Sequence, residues 1–167
     1  MSIEEKNRFM IAELIIRNAT SRDADDIEEI ELKSFAEPWL KETILHNIEF
    51  NETVTVIVAV SNNKVIGYID VQVVMDECDV RRIAVHPDYR GTRIAAILMQ
   101  AMIHITEQCG VQSHYLEVRE SNSAAIGLYS IFGFMENGRR VKYYGDEDAV
   151  MMLRIGDPGD ADPAMKS

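Results

Sequence analysis

The chain has 167 residues, 47% of them apolar and 27% charged, enough for one domain with a sizeable core. Seventeen Lys and Arg against 28 Asp and Glu leave a formal charge of −11, which argues against a nucleic-acid groove or an anionic membrane surface as partner. No run approaches the roughly 18–20 apolar residues of a membrane span, and residues 1–6 are acidic with no apolar signal core behind them, so the expected location is the cytoplasm. In chain order, residues 14–17 read as a short strand. Ser21 opens a helix with Asp23 in its first turn, and Ala24, Ile27, Ile30 and Ser34 recur at helical spacing. Pro38 breaks that pattern and a second helix starts near Trp39. Residues 54–60 and 65–75 are rich in β-branched side chains and flank Ser61-Asn62-Asn63-Lys64, the pattern of a hairpin.

A further strand covers residues 77–85 and stops at Pro87. The strongest helix follows, with Ile94, Ile97, Leu98, Ala101, Met102 and Ile105 on one stripe and Gly110 as its cap. Residues 115–118 form a strand. Asn122 to Phe132 form a helix with Ala125, Ile126, Leu128, Tyr129 and Phe132 on its buried side. A last hairpin turns at Gly145-Asp146. The order β-α-α-β-β-β-α-β-α-β-β is mixed α/β, neither wholly parallel nor wholly antiparallel. Residues 1–13 form an N-terminal extension, 14–155 the domain and 156–167 a flexible tail rich in Gly, Pro and Asp. Cys78 and Cys109 form no CxxC pair and the four histidines lack ligand spacing, so neither a disulfide framework nor a metal site is expected.

Two segments carry chemistry. Residues 83–95 pass from strand through turn to helix start, which offers free backbone N–H groups, small residues and two arginines to an anion. An ordinary βα turn with solvated charges fits the same residues. In the second segment, Glu117 stands at a strand end and Tyr129 two turns into the next helix. A carboxylate and a phenol so placed can serve as base and acid at one cleft. They equally suit a solvent-facing Glu and a core Tyr with its hydroxyl at the rim.

Together these residues resemble the GNAT superfamily of acetyl-CoA-dependent N-acetyltransferases. The likeness lies in the RimI-like branch of ribosomal-protein-alanine and N-terminal protein acetyltransferases. It rests on Ile30-Glu31, Phe35 and Pro38-Trp39; on Ala84-Val85-His86-Pro87 with Tyr89-Arg90-Gly91; on Leu116-Glu117-Val118-Arg119 with Ser121-Asn122, Ala125-Ile126, Leu128-Tyr129 and Gly133-Phe134; and on Tyr143-Tyr144, Asp148-Ala149 and Met152. The resemblance implies a mixed sheet of about seven strands flanked by about four helices. It also implies acetyl-CoA as cosubstrate with no metal. The backbone of Ile83, Ala84 and Val85 would pair with the pantetheine arm, and the turn Arg90-Gly91-Thr92-Arg93-Ile94-Ala95, with Ala96, would hold the pyrophosphate. Arg93 stands where the family usually has Gly. Asn122 and Tyr129 would face the CoA arm.

Glu117, acting through water, would deprotonate the amine, and Tyr129 would protonate the leaving thiolate after direct attack, with a backbone N–H near Val85 on the oxyanion. Glu31, Glu37, Pro38, Trp39, Tyr143 and Tyr144 would wall the peptide slot, and Arg81, Arg82, Arg90 and Arg93 would gather at the CoA turn. The implied partner is a protein N-terminus, a ribosomal protein among the candidates. Acetylation of small amines or lysine side chains, and a non-catalytic acetyl-CoA sensor, are the alternatives. Oligomeric state is not legible.

Overall fold

In the computed structural model, residue 2 and residues 13–156 are described. Most of the expected N-terminal extension and nearly all of the C-terminal tail lie outside the described residues. Seven strands alternate with four helices: β1 (Ile15–Asn18), α1 (Ala24–Ser34), α2 (Lys41–Glu49), β2 (Val54–Ser61), β3 (Lys64–Val74), β4 (Glu77–Val85), α3 (Ile94–Gln108), β5 (Ser113–Arg119), α4 (Ser123–Ile131), β6 (Met135–Arg140) and β7 (Ala149–Ile155). Short 3₁₀ turns at Ser21–Asp23 and Pro87–Tyr89 lead into α1 and towards α3. The strands hydrogen-bond in the order β1-β2-β3-β4-β5-β7-β6. The β1–β2, β5–β7 and β7–β6 pairs are antiparallel, and β4–β5 is parallel. The expected mixed α/β sheet is therefore present.

Local chemistry explains the elements. Asn62 and Asn63 take φ of +50° and +61°, so the β2–β3 turn uses the residue type that tolerates the left-handed region. Gly110, at φ +98°, ends α3 as expected. The buried stripe of α3 differs from the expected one. Ile94, Leu98, Met99, Met102 and Ile103 are buried with Thr106, while Ile105 is exposed. A polar residue can occupy that stripe because the Thr106 hydroxyl is bonded to Ile103 O at 3.2 Å and lies 2.8 Å from His114 Nε2. On α4 only Tyr129 is fully buried, so the expected apolar face is half-covered.

Among the described residues, those up to 71 form one compact unit with 82–102, and 72–81 form another with 103–156. In the first, Ala24, Ile27, Ile30 and Ile44 of the helices pack with Val56, Val58, Val60, Val65 and Tyr68 of the strands. A Cβ on Gly67 would lie 3.0 Å from Ile94 Cγ2 and 3.2 Å from Ala84 O, so the start of α3 sits close against the strands only because residue 67 has no side chain. In the second unit, His114, Leu116 and Val118 are buried on one face of β5, which leaves Tyr115, Glu117 and Arg119 on the other.

Candidate functional site

The structure gathers the sequence-selected residues into two sets, one in each unit. The first set surrounds the turn between β4 and α3. Ala84 and Val85 are buried at the strand end. His86 Nδ1 accepts the Asp88 N–H at 3.2 Å, fixing the 3₁₀ turn. Arg90 Nε donates to Val85 O at 3.2 Å and Nη2 to Ser34 Oγ at 3.1 Å, so its guanidinium braces the turn. The Thr92 hydroxyl donates to Tyr89 O. Gly91 and Arg93 both have left-handed backbone, φ +79° and +68°, and around Gly91 a Cβ would meet no atom within 4 Å. Left-handed residues just ahead of a helix turn successive N–H groups into one concavity. The first-turn amides of a 15-residue helix, which have no i−4 carbonyl, add to it. Such a concavity fits a diphosphate, and Arg93, exposed beside it, adds a cation.

Of the four arginines expected at this turn, Arg90 and Arg93 lie on it. Arg82 rests on the loop between α1 and α2, its Cζ 4.0 Å from the Phe35 ring centroid and 4.6 Å from that of Trp39, with Nη2 donating to Glu37 O at 3.0 Å. Stacking on two aromatic rings outcompetes solvation for Arg82. Glu31 is also placed differently from a slot wall: it is 0% exposed. Its Oε2 accepts the Trp39 N–H at 2.8 Å, its Oε1 accepts the Tyr68 hydroxyl, and Arg82 Nε lies at 3.8 Å. Burial, then Glu31, push the Tyr68 hydroxyl up, so it remains a donor. Glu31 thus fastens the loop that carries Glu37, Pro38 and Trp39. Glu37 is exposed, and Pro38 and Trp39 are half-buried.

The second set lies on β5, α4 and the β6–β7 loop. A cavity of about 330 Å³ is lined by Glu117 with Glu77, Asp79, Tyr115, Arg140 and Met151, among others. Arg140 Nε lies 2.9 Å from Glu117 Oε1. Tyr129 is 7% exposed, and burial, then Tyr144, push its hydroxyl up to about 12. It therefore keeps its proton at any working pH. Asn122 caps α4, its side-chain oxygen accepting the Ala125 N–H at 3.2 Å, so that oxygen serves the helix. Tyr143 and Tyr144 meet edge to face at 5.1 Å.

Braces that the sequence reading missed hold this loop. Arg119 bonds Asp146 at 3.1 Å and Glu147 at 3.0 Å while its Cζ sits 4.4 Å from the Tyr144 centroid. Ser121 N–H donates to Glu147 at 3.0 Å. Arg140 links loop and cavity, its Cζ lying 5.5 Å from the Tyr143 centroid. The signal available was the alternation of β5, which puts Arg119 on the same face as Glu117.

Residues 24–134 match the model of the Acetyltransferase (GNAT) family. The [ribosomal protein bS18]-alanine N-acetyltransferase of Escherichia coli is 37% identical over 132 residues, covering 74% of this chain and 84% of the relative. The enzyme of that name from Haemophilus influenzae is 36% identical over 143 residues, covering 83% and 96%. The crystal structure of the ribosomal-protein-S18-alanine N-acetyltransferase from Escherichia coli superposes with a TM-score of 0.80 at 34% identity, covering 88% of this chain and 97% of that one.

Proposed function

The chain belongs to the acetyltransferase (GNAT) family, and from that premise we propose that it transfers acetyl from acetyl-CoA to the α-amine at a protein N-terminus. It is an N-acetyltransferase, and its family uses acetyl-CoA. The acceptor we assign is an alanine-starting ribosomal protein, the class for which the two relatives are named. The observation that carries the reading is the cavity on β5, in which Glu117 faces a space large enough for a residue's backbone and side chain, beside a braced Tyr143–Tyr144 loop.

The chain's own groups then divide the work. The turn at residues 91–93, left-handed at Gly91 and Arg93, holds the diphosphate, with Ile83, Ala84 and Val85 presenting strand backbone to the pantetheine arm. Holding amine and thioester together supplies the entropic part of the acceleration. Glu117 accepts a proton from the attacking nitrogen, and Tyr129, protonated in the resting enzyme, donates to the departing sulfur. Attack is direct: neither Cys78 nor Cys109 stands at a position of the acetyltransferase motifs, and burial, then Asp79, push the Cys78 thiol up to about 12, which makes it a poor nucleophile. One catalytic domain over residues 14–155 with short extensions, working in the cytoplasm, completes the reading. Among the described residues no helix is long and apolar enough to cross a membrane.

The test is acetyl-CoA turnover on peptides beginning Ser, Ala, Thr, Met and Met-Glu, with free lysine and polyamines alongside. Ala-starting peptides are the expected substrates. Glu117→Gln lowers kcat about 10²–10⁴-fold without changing CoA affinity, and Tyr129→Phe lowers kcat over the same range. Unchanged turnover in Glu117→Gln removes Glu117 from its role, and turnover on polyamines alone ends the peptide reading.

A further inference from the structure

His86 stands where β4 gives way to the 3₁₀ turn, 5% exposed, and takes no part in the proton transfers assigned to Glu117 and Tyr129. Its N–H donates to Ile66 O at 2.8 Å, which seats it against β3. Around its ring lie Glu29 and Lys33 of α1 and Asp88 and Tyr89 of the turn, and Lys64 of β3 joins the group through Glu29. All of these residues belong to one compact unit.

The two ring nitrogens have different partners. Nδ1 accepts the Asp88 N–H at 3.2 Å, so it presents a lone pair and carries no proton. The single proton of the neutral ring therefore sits on Nε2, 3.4 Å from Glu29 Oε1. Lys33 Nζ lies 3.2 Å from the same nitrogen but donates to Glu29, at 2.7 Å. Bonds from the Lys33 and Lys64 ammoniums hold the Glu29 carboxyl down at about 2, so it stays an anion.

The cap on Asp88 is passed on to the residues that meet the anion. Tyr89 N–H donates to His86 O at 2.9 Å, and Arg90 N–H to Pro87 O at 3.4 Å. The Thr92 hydroxyl then donates to Tyr89 O. Thr92 lies between Gly91 and Arg93, the two left-handed residues of the concavity. The 3₁₀ turn thus sets where the concavity begins.

Resting on the reading of that concavity as the diphosphate site of acetyl-CoA, we propose that His86 is a positioning residue that holds the turn in its binding form only as the neutral imidazole, so that acetyl-CoA competes with a proton on His86. Protonation places a hydrogen on Nδ1, which then no longer accepts the Asp88 N–H. The Asp88 carboxylate, its Oδ2 3.8 Å from Nδ1, becomes the partner instead, and residue 88 turns its side chain to the ring in place of its amide. A charge-assisted bond from Nε2–H to Glu29 favours the imidazolium, and the Lys33 ammonium opposes it. By linkage, acetyl-CoA binding expels the proton in acid, and acid weakens the binding.

The experiment is acetyl-CoA affinity by calorimetry at pH 7.5 and 5.5, which bracket the usual range of histidine, for wild type, His86→Asn and His86→Leu. His86→Asn keeps a side-chain oxygen that caps the turn and does not titrate, whereas His86→Leu offers no acceptor. The loss of one such hydrogen bond corresponds to about fivefold in affinity. Wild type is expected to weaken between the two pH values by about fivefold more than His86→Asn, whose own change is the one common to all three through the ligand's phosphates. At pH 5.5 wild type releases a proton on binding that His86→Asn does not, read as heat that differs between buffers. At pH 7.5 His86→Leu binds about fivefold more weakly than wild type, with a raised KM for acetyl-CoA at little changed kcat, and His86→Asn recovers most of that loss. Wild type and His86→Asn weakening in parallel, or His86→Asn binding as poorly as His86→Leu at pH 7.5, overturns the inference and leaves the proposed function standing. A wild type that binds no acetyl-CoA at pH 7.5 defeats the proposed function and the inference together.

Discussion

Arg93 holds φ at +68°, a conformation that costs a residue with a Cβ about 1–2 kcal/mol and that Gly adopts freely. The family's preference for Gly at this position has its physical reason in that angle. The chain keeps the turn without the glycine, and the exposed Arg93 side chain meets no crowding there. Arg93→Gly is therefore expected to shift acetyl-CoA affinity by less than tenfold in calorimetry, the relaxed backbone offsetting the lost cation. Tightening of tenfold or more would mean that the side chain crowds the diphosphate. At this scale the sequence exposed the substitution but not its backbone angle. It equally hid that Arg90 is spent on Val85 O and Ser34 Oγ, since partners 5 and 56 residues apart leave no local pattern.

The loop between α1 and α2 shows how an element is held by a group whose charge suggests another use. Residue 31 was legible as a helical position, and the resemblance gave its carboxylate to the substrate. Instead it is buried under the loop, with the Trp39 N–H, the Tyr68 hydroxyl and Arg82 directed at it. Glu31→Ala takes the carboxylate away from all three, and breaking a buried pair in this way costs about 3–5 kcal/mol. Urea titration should show that loss as a lower midpoint at unchanged slope. A loss under about 1 kcal/mol would contradict the clamp.

Strand and helix positions were read well where periodicity is strong and turns are marked by Asn or Gly, as in β2–β3 and at the end of α3. The inward face of α3 is offset by about one residue from the apolar stripe of its sequence, because Thr106 is buried through a bond to His114, and no helical period encodes a partner on a later strand. The parallel β4–β5 pairing and the insertion of β7 between β5 and β6 likewise depend on long-range contacts.

For the molecule as a whole, the charge of −11 first excluded phosphate polymers, although the cosubstrate is itself polyanionic. The resolution in the proposed arrangement is local: backbone amides and Arg93 are assigned to the anion, while acidic residues such as Glu77, Asp79 and Glu117 line the cavity assigned to the amine. Attraction of this kind is screened by salt. For a basic peptide, kcat/KM should fall several-fold between about 50 and 500 mM salt with kcat unchanged, and a fall in kcat with constant KM would place the charge effect on chemistry instead.

The most direct measurement gives the enzyme one peptide with a free N-terminal alanine and an internal lysine, and maps the acetyl group by fragmentation mass spectrometry. The account predicts acetyl on the alanine α-amine, lost on Glu117→Gln. Acetyl on the lysine, or transfer undiminished in Glu117→Gln, would contradict it.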